Sequence, residues 1–170
     1  KAEELYQRLQ QLQKELRVRV PIYVIISKAD LIPGFVAFCG ALSAAHREQI
    51  FGWSSPYGPD EAYRSEWLDE AFDTLYRTQS LLQLDLLAAG KVSDQERDSA
   101  FLFSRNVSAL SSSLRVYLDQ IFKSSVYSEP CLLRGVYFCG DATVEGVMAQ
   151  AEGATPRRPS FLQQLMADKV

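Results

Sequence analysis

Residues 21–30 read Pro-Ile-Tyr-Val-Ile-Ile-Ser-Lys-Ala-Asp, a β-branched run that passes directly into Ser27, Lys28 and Asp30. Open α/β sheets bind ligands at the carboxyl ends of their strands, and a carboxylate placed there can accept two hydrogen bonds from the Watson–Crick edge of guanine. Asp30 has that position. Lys28, two residues earlier, leaves the strand end on the same side, so its alkyl stem can lie along a purine while its ammonium reaches a phosphate-binding loop. Ser27 would tie the loop to its neighbours. Four residues of this kind also describe a solvated Lys/Asp turn, and the apolar strand in front of them is the context that brings in the base-reading alternative.

A purine nucleotide is held mainly through its phosphates, which need a strand–GxxxxGK[ST]–helix or a comparable nest of backbone N–H groups. The 170 residues contain no such segment. The nearest, Ala88-Ala89-Gly90-Lys91-Val92, lacks a second glycine and a hydroxyl after the lysine, and reads as the glycine that stops a helix. The expectation is that this chain holds no cofactor and does not bind GTP tightly.

Other groups offer little chemistry. His46 is the only histidine and has Ser43 one helical turn away, but no carboxylate or nucleophile pattern surrounds it. Asp69-Glu70 and the Asp94/Glu96 pair fit solvated faces or helix starts and form neither an acid/base pair nor a metal site. No catalytic residue and no metal ligand is assigned. Trp53, Tyr57, Tyr63 and Trp67 have the aromatic character of docking surfaces, although a spacing of four on a helix more often describes a core. Asp73 and Arg77 lie on a charged helix face nearby, and with Trp53 and Tyr57 they are the expected partner-binding residues.

Composition narrows the class. With 47% hydrophobic and 23% charged residues, the chain can bury a core. A net charge of −3 argues against a phosphate-backbone partner such as nucleic acid. Cys39, Cys131 and Cys139 are odd in number, lack C-x-x-C spacing and sit among apolar residues, which predicts buried thiols in a reducing, cytosolic compartment. Lys1-Ala2-Glu3-Glu4 is no signal peptide, and no apolar run approaches the roughly 20 residues of a membrane-spanning helix.

The elements that would position these residues follow from periodicity. Leu5, Leu9, Leu12 and Leu16 mark the inner face of a helix over 3–17. The strand at 22–26 is expected to be central and buried on both faces. A short helix carries Leu42, Ala45 and Ile50, and Trp53–Pro59 is a turn-rich connector. Asp60 would cap a long helix with Tyr63, Trp67, Ala71 and Leu75 on one face, continuing to Gly90. Ser93-Asp94-Gln95-Glu96 is a capping-box signature, and Leu110, Leu114, Leu118 and Phe122 mark the inner face of a further helix. A second strand over 132–139 is predicted to run parallel to the first. Residues 150–159 read as linker, and Phe161, Leu162, Leu165 and Met166 line one face of a last helix capped by Ser160. The division is an α/β part over 1–52, a helical lobe over 53–128, a returning strand and loop over 129–149, and a linker with an amphipathic helix over 150–170.

Four blocks carry a family resemblance: residues 21–35, Ile50-Phe51-Gly52-Trp53, residues 130–138 (Pro-Cys-Leu-Leu-Arg-Gly-Val-Tyr-Phe) and residues 160–165 (Ser-Phe-Leu-Gln-Gln-Leu). In this order they resemble the cytoplasmic domain of the IcmF/TssM family, an inner-membrane component of bacterial type VI secretion systems with relatives in some type IV systems. The resemblance implies a GTPase-like (P-loop NTPase-type) parallel sheet with an inserted helical lobe, on the cytoplasmic face of the inner membrane. It implies a scaffold that docks the cytosolic baseplate and sheath assembly onto the envelope-spanning complex, with other membrane-complex subunits as partners. In family members that carry a phosphate loop it lies upstream of this region, which gives an alternative: an NTP-dependent switch, with GTP or ATP as its nucleotide and Ser27, Lys28 and Asp30 as a degenerate guanine-reading loop. After Phe138 the chain departs from the commoner Ser/Thr-Gly pattern, having Cys139-Gly140-Asp141-Ala142-Thr143-Val144-Glu145-Gly146 in the loop that would flank the base.

Overall fold

The two-residue period of Ile22, Val24 and Ile26 puts these side chains on one face of a strand, and that strand, β1, covers Pro21–Ile26. The computed structural model describes residues 1–47, 49–89, 93–123 and 131–141. Strand β3 (Leu132–Phe138) runs parallel to β1, with Ile22 opposite Leu133, Val24 opposite Val136 and Ile26 opposite Phe138. This is the parallel pairing predicted from sequence. Strand β2 (Gly52–Ser54), read from sequence as the end of a helix and the start of a connector, pairs antiparallel to the other edge of β3. The strand order is β1-β3-β2, so the fold is mixed α/β around a small mixed sheet rather than a wholly parallel one. Gly52 permits β2 to lie there, because a Cβ at that position would approach the Val136 carbonyl oxygen to 2.6 Å. The sequence boundary between 52 and 53 falls inside β2.

The expectation that β1 is central and buried on both faces is corrected. Among the described strands β1 is an edge and β3 is the centre. Ile25, on the outer face, is 46% exposed, while Val136 on β3 is 1% exposed.

Helix α1 (Ala2–Leu16) forms as predicted but is rolled about its axis. Ala2 and Gln13 are buried and Leu9 is half-buried, whereas Leu5, Leu12 and Leu16 are exposed. Polar anchors set the roll: Gln13 Oε1 accepts the Val20 N–H at 3.0 Å, and Lys123 donates to Glu3 at 2.7 Å while its ammonium sits 4.5 Å from the Tyr6 ring centroid. The short helix predicted near 42–50 is two pieces, α2 (Phe35–Ala41) and α3 (Ala44–Arg47). Ser43 Oγ lies 3.1 Å from His46 Nδ1 and accepts the His46 backbone N–H, which makes the pair a turn at the start of α3.

Helix α4 spans Glu66–Ala89 and starts later than an Asp60 cap would place it. Glu61 and Gly58 exchange hydrogen bonds that close a turn before the helix, and Tyr63 and Ser65 both donate to Asp119 Oδ1 at 2.6 Å. Burial and the Asp119 carboxylate together push the Tyr63 phenol far above its usual range. Helices α5 (Asp94–Ala109) and α6 (Ser111–Ile121) are separated at Leu110. Two core clusters result. One joins Trp53, Trp67, Leu68, Leu118, Leu133 and Val136 under the sheet, and the other gathers Phe35, Phe38, Phe72, Leu75, Phe103 and Phe138. Because α4 and β3 contribute to both, the helices and the sheet share one interior.

Cys131 is buried and Cys39 half-buried, and burial pushes the Cys39 thiol up to about 11. Cys139 is exposed, which corrects the expectation of three buried thiols. No described helix is long and apolar enough to cross a membrane. The predicted helix stop at Gly90, the loop beyond Asp141, the linker over 150–159 and the amphipathic segment over 160–166 lie outside the described residues.

Candidate functional site

Parallel pairing brings the carboxyl ends of β1 and β3 side by side, since Ile26 and Phe138 are register partners. Both chains turn there. After Ile26 come Ser27 and Lys28, then a single 3-10 turn over Ala29–Leu31; after Phe138 come Cys139, Gly140 and Asp141. The turns are sewn together by backbone bonds, with Cys139 N donating to Ile26 O at 2.9 Å and Ala29 N donating to Cys139 O at 3.0 Å. Gly140 is required at the seam: a Cβ would come within 2.6 Å of the Asp30 nitrogen and 3.0 Å of the Phe35 ring.

Asp30 is half-buried, and its Oδ1 accepts the backbone N–H of Asp141 at 3.1 Å. That is the one hydrogen bond of its side chain among the described residues, so Oδ2 and a second lone pair on Oδ1 are left to accept from a ligand. Lys28 is exposed and takes φ 60°, a left-handed backbone that costs a residue with a Cβ roughly 1–2 kcal/mol. It forms no ion pair within the described residues. Ser27 is also exposed. The structure thus brings Ser27, Lys28 and Asp30 to the predicted end of the sheet and adds Asp141, whose amide the sequence did not single out. A base-reading group is geometrically possible here. Among the described residues no strand-to-helix glycine loop faces it to hold phosphate, and no cluster of three His, Cys, Asp or Glu side chains could hold a metal ion.

The predicted docking residues separate. Trp53 points inward from β2 and is only 6% exposed, so its indole serves the core. The Tyr57 ring stacks on Trp67 at 4.2 Å and 9°, and its hydroxyl donates to Glu70, which raises the phenol above its ordinary value. Arg134 further fixes this loop by donating to the Tyr57 carbonyl at 2.6 Å. Asp73 and Arg77 are exposed one turn apart on α4 and are not ion-paired with each other within the described residues.

Sequence reasoning missed a surface on the distal half of α4. Tyr76, Ser80 and Leu84 face Phe101, Arg105 and Ser108 of α5 across an open groove of about 540 Å³. Leu81, Leu84, Phe101 and Leu102 are all substantially exposed. Beneath them Gln83 donates to Ala100 O at 3.1 Å and to Ser104 Oγ at 2.7 Å, which fixes α5 against α4. The signal was present: leucines at 81, 84 and 87 beside those at 82 and 86 make the helix apolar all round, which marks a second face awaiting burial.

Comparison with known proteins adds identity to this geometry. The chain is 35% identical over 151 residues to the type VI secretion system component TssM1 of Pseudomonas aeruginosa, an alignment covering 85% of this chain and 13% of that protein. The chain therefore spans about an eighth of that relative's length. No solved structure matches. The profile of the IcmF-related N-terminal domain matches residues 1–170, and the chain belongs to that family.

Proposed function

We propose that this domain is a docking body of a secretion-system component, joining cytosolic baseplate and sheath proteins to other subunits of an envelope-spanning complex at the cytoplasmic face of the inner membrane. The observation that carries this reading is the α4–α5 groove. Tyr76, Leu84 and Phe101 stand open at the surface, while Phe72, Leu75 and Phe103 of the same two helices are buried against the α/β body. Exposed aromatic and aliphatic side chains on a rigid support are the usual anchors of protein interfaces. Asp73 and Arg77 supply charge on the same helix. The domain acts by binding, not by catalysis.

The test is substitution of the open side chains. Leu84→Asp with Phe101→Asp should change stability by no more than about 1 kcal/mol, because both positions already meet water, and should abolish capture of baseplate and membrane-complex subunits by the full-length protein. Reversal of Asp73 and Arg77 should weaken capture to a lesser degree. Intact assembly in these variants, with assembly lost on substitution across Lys28–Phe35, would move the docking face to the sheet end.

A nucleotide-dependent switch is the second reading, favoured by the open Oδ2 of Asp30 beside the strained Lys28. It requires phosphate-binding groups from elsewhere in a longer protein. Two charge-assisted hydrogen bonds contribute about 1.5–3 kcal/mol each, and the loss of ligand freedom offsets much of that. The expected Kd of the 170-residue chain for GTP is therefore weaker than about 1 mM. Micromolar binding by calorimetry would overturn this expectation and place a complete site within the chain.

A further inference from the structure

Helix α4 turns a further face to solvent, beside the groove it forms with α5. At 3.6 residues per turn, Thr74, Arg77, Thr78, Leu81, Leu84, Asp85 and Ala88 fall within a stripe about 120° wide, with Leu81 at its centre. All seven are exposed, Leu81 at 64% and Leu84 at 61%. The opposite side of the helix carries Phe72, Leu75 and Gln79, which are buried, so the stripe points away from the domain. Its polar groups are few. Thr74 and Thr78 donate their hydroxyls back to the carbonyl oxygens of Glu70 at 2.7 Å and Thr74 at 2.9 Å, so neither hydroxyl needs a partner outside the helix. Arg77 and Asp85 have no ion pair among the described residues.

The charges along the stripe are arranged symmetrically about Leu81. Arg77 and Asp85 lie four residues to either side of it, and the small residues Thr74 and Ala88 lie seven. A twofold axis passing beside Leu81, perpendicular to the helix, sets α4 of a second copy antiparallel and uses the same patch on both molecules. Leu81 then meets Leu81 of the second copy, each Arg77 comes level with the other molecule's Asp85, and Thr74 comes level with Ala88, where small side chains let the helices approach. A parallel arrangement would set Arg77 against Arg77 and Asp85 against Asp85. Charge therefore selects one orientation and one register. We propose that the outward face of α4 is a self-association surface, on which a second copy of this chain docks antiparallel with Leu81 at the twofold axis and two Arg77–Asp85 ion pairs flanking it. The contact over residues 74–88 is about 21 Å long at the helical rise of 1.5 Å per residue. A single helix pair of that length lies at the small end of specific interfaces, so the dimer is weak and reversible. It borders the docking groove at Leu84 and does not rest on the reading of that groove.

The experiment is sedimentation equilibrium of the 170-residue chain from about 10 μM to about 1 mM, the range of weak complexes, where a monomer–dimer equilibrium is expected. Arg77→Asp and Asp85→Arg should each weaken the dimer about tenfold, because each turns two attractive contacts into like-charge contacts. The double variant restores opposite charges and should return the dissociation constant to within about threefold of the parent, the signature of two side chains that meet. Both positions are exposed, so all three variants should melt with the parent. Phe101→Asp alters the groove and not the stripe, and should leave the dimer at its parent strength, which keeps loss of the dimer distinct from loss of groove docking. A chain that stays monomeric throughout this range would overturn the proposal. So would a dimer indifferent to the single reversals, or one that the double variant fails to restore, since either result places the contact elsewhere.

Discussion

Replacing Val136 by aspartate should leave no cooperatively melting domain. Val136 is the inward residue at the middle of the central strand, 1% exposed, with Val24 on one side of it and Trp53 on the other in register. The substitution removes about 1.5–3 kcal/mol of apolar burial. It also places an unpaired carboxylate in the interior, which costs several kcal/mol more whether the group stays charged or takes up a proton. A domain of this size is ordinarily stable by about 5–15 kcal/mol, so most of that margin is consumed. Val24→Asp should be milder, because β1 is an edge strand and Val24 is only half-buried. Thermal melts followed by circular dichroism decide the matter, and a Val136→Asp variant that melts cooperatively near the parent temperature would contradict the strand order.

The second large effect is expected at Phe103. Its side chain is 0% exposed and meets the rings of Phe35 at 5.5 Å, Phe38 at 5.0 Å and Phe51 at 5.7 Å. Phe103→Ala should cost about 3–5 kcal/mol through lost burial and the cavity left behind. The cavity cannot collapse easily, because the backbone on its rim is already in close contact. Gly34, at φ 92°, approaches so closely that a Cβ there would sit 2.8 Å from the Phe103 nitrogen. Denaturant unfolding checks the prediction: the midpoint should fall sharply while the slope is unchanged. A loss below about 1 kcal/mol would mean that α2 and α5 close over the gap, against the rigidity expected of a packed interior.

Strand β1 was legible because Ile22–Ile26 is a short, mostly β-branched apolar run, and β3 because its β-prone residues end at Gly140-Asp141; their shared direction followed from the intervening helices. What was not legible was decided by groups distant in the chain. The roll of α1 depends on Gln13 meeting Val20 and on Lys123 reaching Glu3, so the leucine spacing alone points to the wrong side. Strand β2 is three residues long, too short to show a period, and exists because Gly52 fits beneath Tyr137. The late start of α4 reflects Tyr63 and Ser65 converging on Asp119, more than fifty residues away. At the candidate site, Lys28 and Asp30 could be named from their spacing to the strand, but the Asp141 amide that holds Asp30 lies 111 residues on. For Trp53 and Tyr57 the residue type was informative and the role was not, since aromatic side chains serve cores and interfaces alike.

Helix α4 runs from the sheet to the groove without a break. Trp67, Leu68 and Ala71 are clamped beneath β2 and β3, and Leu84 emerges roughly 25 Å further along at the helical rise of 1.5 Å per residue. Between these points Phe72 and Leu75 are buried against α5 and Gln83 is bonded to Ala100 and Ser104, so the helix is a beam supported along its length. A pull on the open leucines is therefore shared between α5 and the sheet. A load placed on those leucines would be met first where α4 is fixed to α5 at Gln83, and only beyond that by the three residues of antiparallel pairing, Gly52–Ser54.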